Sequence, residues 1–402
     1  MPWTVDEMAF LVCVYHMDPS QLNFHPGYFK TPSFTVYLLA ASLAFSAMLG
    51  WVHLVQDKAF YIQHMDQRGN MFLVGRLNSV VFAVLTVWIL YFFVRRLYPD
   101  RPHWVALLAA ALLAILAGHV VWSHYLSQHP LVTFWVLLTF YLLLRLLENR
   151  KPHWYVLSGL SVGIAASTNY NGVLLAALII LAHFLTADGR CRTRVKDPNP
   201  RTRLRWRDVR WLIVALVCVL FGFLLVTPYA LLDAHFFWDE FMWEFRAVQS
   251  TTLASLADAL HYVLITLLPA GSGWCLYLIG MAGLLWLSVR RSWRGGEVLV
   301  LAWVYLYLLL TVRAGSFATV SRALPLLVCF PILATNLLFE LRERWPGKGR
   351  CLARAFGILL ILTTAILTGF VDGFFLTDTV RRDASAWILE HVPPGTSSCS
   401  IR

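Results

Sequence analysis

The chain has 402 residues; 59% are apolar, 14% aromatic and only 14% charged, and the mean hydropathy is +0.64. A soluble domain is about 45–50% apolar and about 25% charged, so this composition argues against a soluble globular enzyme, and its aromatic content excludes a disordered chain. The 33 Lys/Arg against 22 Asp/Glu leave a net charge of +11, which in a soluble protein points to nucleic acid but in a membrane protein reports basic loops on one face.

In chain order, residues 1–73 read as an extracytoplasmic or interfacial region that opens with the acidic pair Asp6-Glu7. Within it, Tyr37–Val55 is apolar but carries Gly50, Trp51 and His53 near its end. Crossing the membrane there would put Asp6-Glu7 on the same side as the basic loops, so it reads as interfacial or re-entrant. A bundle of spans follows over 74–377. Crossing about 30 Å of hydrocarbon takes roughly 17–25 residues. Val74–Val94, Trp104–Val121, Leu131–Leu147, Trp211–Thr227, Val298–Val312, Ala323–Leu341 and Ala353–Val371 are suitable or nearly so. Tyr155–Leu185 is too long for one span and is broken by Thr168-Asn169-Tyr170-Asn171-Gly172, the signature of a tight turn between two short helices. Trp274–Val289 is a shorter span, and His261–Pro269 a partial helix leading into it. The fold class expected is an all-α polytopic membrane protein with about nine to ten spans. Residues 378–402 read as the start of a tail. The seven cysteines form no CxxC and read as inert core thiols.

If each clear span crosses once, 23 of the 33 Lys/Arg fall in one set of loops, nine of them in Arg190–Arg210, while 14 of the 22 acids fall on the other side. The positive-inside rule makes the basic side cytoplasmic. The +11 is then a topology signal, and no nucleic-acid partner is expected because no folded basic and aromatic face is present. The opposite, extracytoplasmic loops collect the residues capable of chemistry: Asp6-Glu7, Ser123-His124-Tyr125 with His129, Thr168–Asn171, Thr227–Asp233, Asp239–Glu244 and Ser321-Arg322.

Several stretches resemble one family in order along the chain. They are Val5-Asp6-Glu7-Met8, Gln21-Leu22-Asn23-Phe24-His25-Pro26-Gly27-Tyr28-Phe29-Lys30-Thr31-Pro32-Ser33, Val74-Gly75-Arg76-Leu77, His119–Tyr125, Thr227-Pro228-Tyr229-Ala230-Leu231-Leu232-Asp233, Ser321-Arg322-Ala323-Leu324-Pro325 and Ala386-Trp387-Ile388 with Val392-Pro393-Pro394-Gly395. Together these resemble the polyprenyl-phosphate-sugar-dependent transferases of glycosyltransferase family 39, the protein O-mannosyltransferases and the aminoarabinose lipid A transferases, which share the GT-C membrane fold. Against that pattern, His129 stands where an acid is usual and Asn169 where a Lys is usual. The family also has a membrane helix before its acidic pair and a tail beyond the position of Arg402, so the expectation is a truncated or mis-started chain.

The resemblance implies transfer of a sugar from a polyprenyl phosphate to a hydroxyl on a protein, lipid or glycan, at the outer face of a cell (inner) membrane. Such a reaction needs a base for the acceptor proton and cations for the departing phosphate. Asp6 is the expected general base and Glu7 an orienting acid. Arg322 is the first candidate for the donor phosphate, because Arg binds phosphate bidentately and positive-inside statistics disfavour it on that face. Arg76, a snorkelling anchor or a phosphate contact, joins His124, His129, Lys30 and His25 as further candidates. No metal signature is present; a divalent cation (Mg or Mn) held by Asp6 and His124 stays open. The aromatic-acidic segment Phe236–Phe245 reads as a membrane anchor, or as a wall of the acceptor site. Competing readings are a transporter or flippase, which places its polar sites near the bilayer midplane, and a non-catalytic relic of the transferase family.

Overall fold

The computed structural model describes residues 5–55, 57–188, 206–250, 255–315, 318–345, 347–376, 383, 386–387 and 390–391. Most of the basic loop 190–210 and of the tail 378–402 lies outside the described residues. The described residues form helices, with a single bridge between Asp18 and Asn23. In order these are α1 (Val5–Tyr15), α2 (Phe34–Met48), α3 (Lys58–Gln63), α4 (Met65–Leu97), α5 (His103–Ala114), α6 (Ala117–Ser123), α7 (Gln128–Asn149), α8 (Pro152–Thr168), α9 (Leu175–Asp188), α10 (Trp206–Val226), α11 (Tyr229–Leu232), α12 (Ala234–Ser250), α13 (Leu256–His261), α14 (Leu268–Ser272), α15 (Trp274–Val289), α16 (Gly295–Ala314), α17 (Val320–Leu327), α18 (Cys329–Arg344) and α19 (Lys348–Leu376).

Six helices among the described residues are long and apolar enough to cross a membrane, or up to eight if each bent pair counts as one span. The bent pairs are α5 with α6, turned by 54°, and α13–α14 with α15, turned by 119° at Gly273. The expected number was nine to ten. The difference lies mainly in Tyr155–Leu185, which does break at Asn169 but into two helices of 17 residues, α8 and Tyr170–Thr186, at the lower limit for a span. The 15-residue α2 is too short to span, about 22 Å at 1.5 Å per residue.

α10 and α19 bury only 11% and 22% of their spanning windows and expose Val217, Leu220, Phe221, Leu225, Ile358, Leu362, Ile366 and Phe370. Such continuous apolar faces suit hydrocarbon and not water. α8 meets α10 through small residues: a Cβ on Gly159 would stand 2.3 Å from the Ala215 carbonyl oxygen, and one on Gly163 2.3 Å from that of Val219. Close backbone approach through a Gly-x-x-x-Gly stripe is a standard way for membrane helices to pack. Gly163→Val is therefore expected to separate the pair and cost about 1–3 kcal/mol, read as a lowered thermal transition of the detergent-solubilised protein.

The two ends of the bundle differ. At one end Arg101 reaches Asn336 (2.8 Å) and Glu340 (2.7 Å), Arg290 bonds Glu297 and Glu340, and Arg294 forms a two-pronged pair with Asp100 at 2.8 and 2.9 Å. The Arg294 guanidinium holds the Asp100 carboxyl down at about 2. Here Arg96, Arg101, Arg145, Arg290, Arg294 and Arg342 have carboxylate partners, as part-buried charges require. Arg294 caps the start of α16, and Tyr307 lies about 20 Å further along the same helix. The opposite end, around Tyr307, holds the cavity described next.

Candidate active site

The site draws on the loop 16–33, the start of α7, the turn at 169–174, α12 and the ends of α16 and α17, with α1 carrying Asp6 within electrostatic reach. α1 begins with both acids in its first turn, where the helix dipole favours them. Successive residues on a helix point about 100° apart, and here that rotation separates the pair. Asp6 is exposed, whereas Glu7 is fully buried.

Glu7 accepts hydrogen bonds from Arg76 Nε (2.8 Å) and Nη2 (3.2 Å) of α4 and from the Leu126 backbone N–H (2.9 Å) between α6 and α7. This one carboxylate thus ties three segments together. The pairing engages Arg76 with Glu7, so the candidate phosphate contact Arg76 and the candidate orienting acid Glu7 meet each other inside the protein.

The loop is held in shape locally. Asp18 accepts from the Ser20 N–H (3.0 Å), Asn23 from the His25 N–H (3.0 Å) and His25 Nδ1 from the Gly27 N–H (2.9 Å). Gly27 has φ +67°, a left-handed conformation that glycine adopts without strain. Further contacts dock it: the Tyr229 hydroxyl accepts from the Phe24 N–H (3.3 Å), Tyr170 donates to the Phe29 carbonyl (2.6 Å), and His25 Nε2 lies 3.4 Å from Asp233. Tyr229 and Asp233 of the Thr227–Asp233 segment therefore clasp the loop that carries His25 and Lys30. His25 sits in an aromatic nest with Phe29, Tyr229 and Phe236.

α12 docks by an aromatic face. Phe237 and Phe241, one turn apart, stack on each other and meet Phe29 and Tyr170. Glu244 and Phe245 follow on the same side of the helix. The result is an open cavity of about 210 Å3 whose lining includes Lys30, Gln128, Tyr170, Glu244, Tyr307 and Arg322. Arg322 Nη2 is 3.6 Å from Glu244 Oε1. The Lys30 ammonium stands 3.5 Å above the Trp243 ring, a cation–π contact. Tyr307 donates to the Arg322 carbonyl (2.8 Å) and interacts with Asn171. Asp6 lies within electrostatic reach of both Arg322 and Glu244. Burial pushes the Glu244 carboxyl up, opposed by Arg322 and Lys30. Burial and the carboxylate of Glu244 push the Tyr28 phenol up to about 12, so it stays neutral.

Arg322 and Lys30 are therefore brought to one cavity, with Asp6 within electrostatic reach of Arg322. His129 is buried behind that wall, edge-on to Trp122 (5.7 Å) and within electrostatic reach of Arg322. His124 turns elsewhere: its Nδ1 bonds the Val120 carbonyl (2.8 Å), its ring stacks on Phe375 of α19 (4.7 Å), and its Nε2 is 4.0 Å from Asp372. Among the described residues no three His, Cys, Asp or Glu side chains gather in a way that could hold a metal ion. The sequence places Glu244 in a segment read as a membrane anchor or a wall of the acceptor site, and Tyr170 among the polar residues of the outer loops, but it does not single out Gln128 or Tyr307. One acid following two aromatic residues at helical spacing, Phe237 and Phe241, was the available signal for Glu244.

Residues 64–220 match the family model for dolichyl-phosphate-mannose-protein mannosyltransferases. No curated protein matches the chain. Solved structures do. The oligosaccharyltransferase AglB of Archaeoglobus fulgidus, in complex with an inhibitory peptide and a dolichol-phosphate, is 14% identical with a TM-score of 0.57 over 98% of this chain and 55% of its own. ArnT of Cupriavidus metallidurans bound to undecaprenyl phosphate is 14% identical with a TM-score of 0.60, over 94% of this chain and 68% of its own. In the apo state the TM-score is 0.55 at 16% identity, over 86% and 57%. The chain thus spans about half the length of the archaeal enzyme. In architecture the chain is a GT-C-fold membrane protein, and its residues 64–220 carry the sequence pattern of the dolichyl-phosphate-mannose-protein mannosyltransferase family.

Proposed function

We propose that the chain is an integral-membrane glycosyltransferase that moves a sugar, a mannosyl-type hexose by the family pattern, from a polyprenyl phosphate to a hydroxyl acceptor at the extracytoplasmic face. One observation carries this reading: two cations, Arg322 and Lys30, line one open cavity at the end of the bundle away from the paired arginines, with the exposed carboxylate Asp6 within electrostatic reach of Arg322. The positive-inside rule supports reading that end as extracytoplasmic, and the dolichol-phosphate and undecaprenyl phosphate in the AglB and ArnT structures support the carrier.

The chemistry follows from the residues present. The acceptor oxygen attacks the anomeric carbon, and Asp6 takes the hydroxyl proton as the new C–O bond forms. The bond from that carbon to the phosphate oxygen breaks, and its electron pair leaves with the phosphate. Arg322 and Lys30 stabilise the charge that develops there, in a partly desolvated cavity where donors act most strongly. Leu310 and Ala314 continue the wall along α16 as apolar surface suited to the carrier chain. Were the reaction to use a Mg or Mn ion, Asp6 would be the residue to hold it and the ion would offset phosphate charge; His124 is committed to Phe375 and Asp372.

The test is the full chain in liposomes, given polyprenyl-phosphate [14C]mannose and hydroxyl acceptors, with release of polyprenyl phosphate as the readout. Arg322→Ala is expected to lower kcat/KM about 10²–10³-fold. No release by the wild-type chain, or unchanged release by the variant, overturns the reading.

A further inference from the structure

The cavity already contains an anion of its own. Glu244 and Arg322 both line it, and the Glu244 side chain is only 23% exposed. Their closest approach, 3.6 Å, is well beyond the 2.7–2.9 Å of a tight charge-assisted bond. Resting on the transferase reading above, we propose that Glu244 is an internal stand-in for the donor's phosphate: it holds the Arg322 guanidinium while the cavity is empty and gives that place up when a polyprenyl phosphate enters.

Three observations support the exchange. First, the Arg322 side chain is about two-thirds covered, at 37% exposure, so its charge needs compensation; Glu244 supplies part of it between turnovers, alongside Asp6 within electrostatic reach. Second, Glu244 is not what fixes α12. The helix is docked by Phe237 and Phe241 against Phe29 and Tyr170, so its carboxylate can change partner without undocking the helix. Third, a second cation is at hand: Lys30, above the neighbouring Trp243 and within electrostatic reach of Glu244, can face the phosphate and the released carboxylate together. Burial also favours the protonated form of a Glu244 that has lost Arg322. The released carboxyl is thus not stranded as a buried unpaired charge.

The exchange makes Glu244 a competitor of the ligand, so neutralising it should strengthen binding, the opposite of what a substrate-contacting residue shows. The experiment measures undecaprenyl phosphate binding to the full chain in nanodiscs by native mass spectrometry. Glu244→Gln is expected to tighten Kd about fivefold to tenfold, the size of a part-buried ion pair. The same change in an Arg322→Ala background should give no gain. Glu240→Gln, one turn earlier and outside the cavity lining, should leave Kd within about twofold. Glu244→Asp, which keeps the charge but shortens its reach, should tighten binding by less than Glu244→Gln and serves as the second variant. Unchanged or weaker binding by Glu244→Gln, or a gain that survives Arg322→Ala, overturns the exchange while wild-type binding and transfer keep the transferase reading. Failure of the wild-type chain to bind undecaprenyl phosphate removes both.

Discussion

Asp6→Asn is expected to lower sugar transfer about 10²–10⁴-fold, the range attributed to a positioned general base, while undecaprenyl phosphate binding and the thermal transition stay close to wild type. The separation of effects follows from where Asp6 stands. It is exposed in the first turn of α1, so its loss removes no buried contact, and asparagine keeps its shape. What asparagine lacks is the ability to take the acceptor's proton. Single-turnover transfer and equilibrium binding, measured on the same nanodisc preparation, separate the two. Transfer that persists in Asp6→Asn would move the base elsewhere, and Glu244 is the carboxylate lining the cavity.

The adjacent acid illustrates what the sequence could and could not convey. Asp6-Glu7 is visible as a pair in one dimension, and family likeness treats it as a unit. A helix turns each residue by about 100°, and whether both acids then face the cavity depends on what packs against α1. Here Glu7 meets Arg76, 69 residues away, and the backbone of Leu126, 119 residues away. Neither contact leaves a local signal. The broad architecture was legible because it rests on local physics: apolar runs long enough to cross a bilayer, the Asn169 break, and the basic residues that pair with carboxylates at one end of the bundle. Arg322 was legible because an arginine beside an apolar run on the sparsely basic face needs a reason. Lys30 could be suspected from its loop, but its position over Trp243 depends on two elements meeting more than 200 residues apart. Glu244 was hardest to place. Its helix reads as an interfacial anchor from its aromatic residues, and only docking on Tyr170 and Phe29 turns the acid toward Arg322.

Glu7→Ala is expected to be the most destabilising single change at this end of the protein. It would leave the Arg76 guanidinium, 11% exposed, buried without its carboxylate, and would remove the acceptor for the Leu126 N–H. Breaking one side of a buried ion pair typically costs about 3–5 kcal/mol, against a total stability of about 5–15 kcal/mol for a folded domain. The variant should therefore show a sharply lowered thermal transition in detergent, and transfer should fall only because less protein is folded. A double variant separates this role from a catalytic one. In Glu7→Leu/Arg76→Leu the buried pair becomes apolar, a replacement that is often neutral or stabilising at such sites. Asp6, Arg322 and Lys30 remain in place, so the double variant should regain both its thermal transition and most of its transfer rate. Recovery of stability without transfer would instead mean that Glu7 or Arg76 takes part in the reaction.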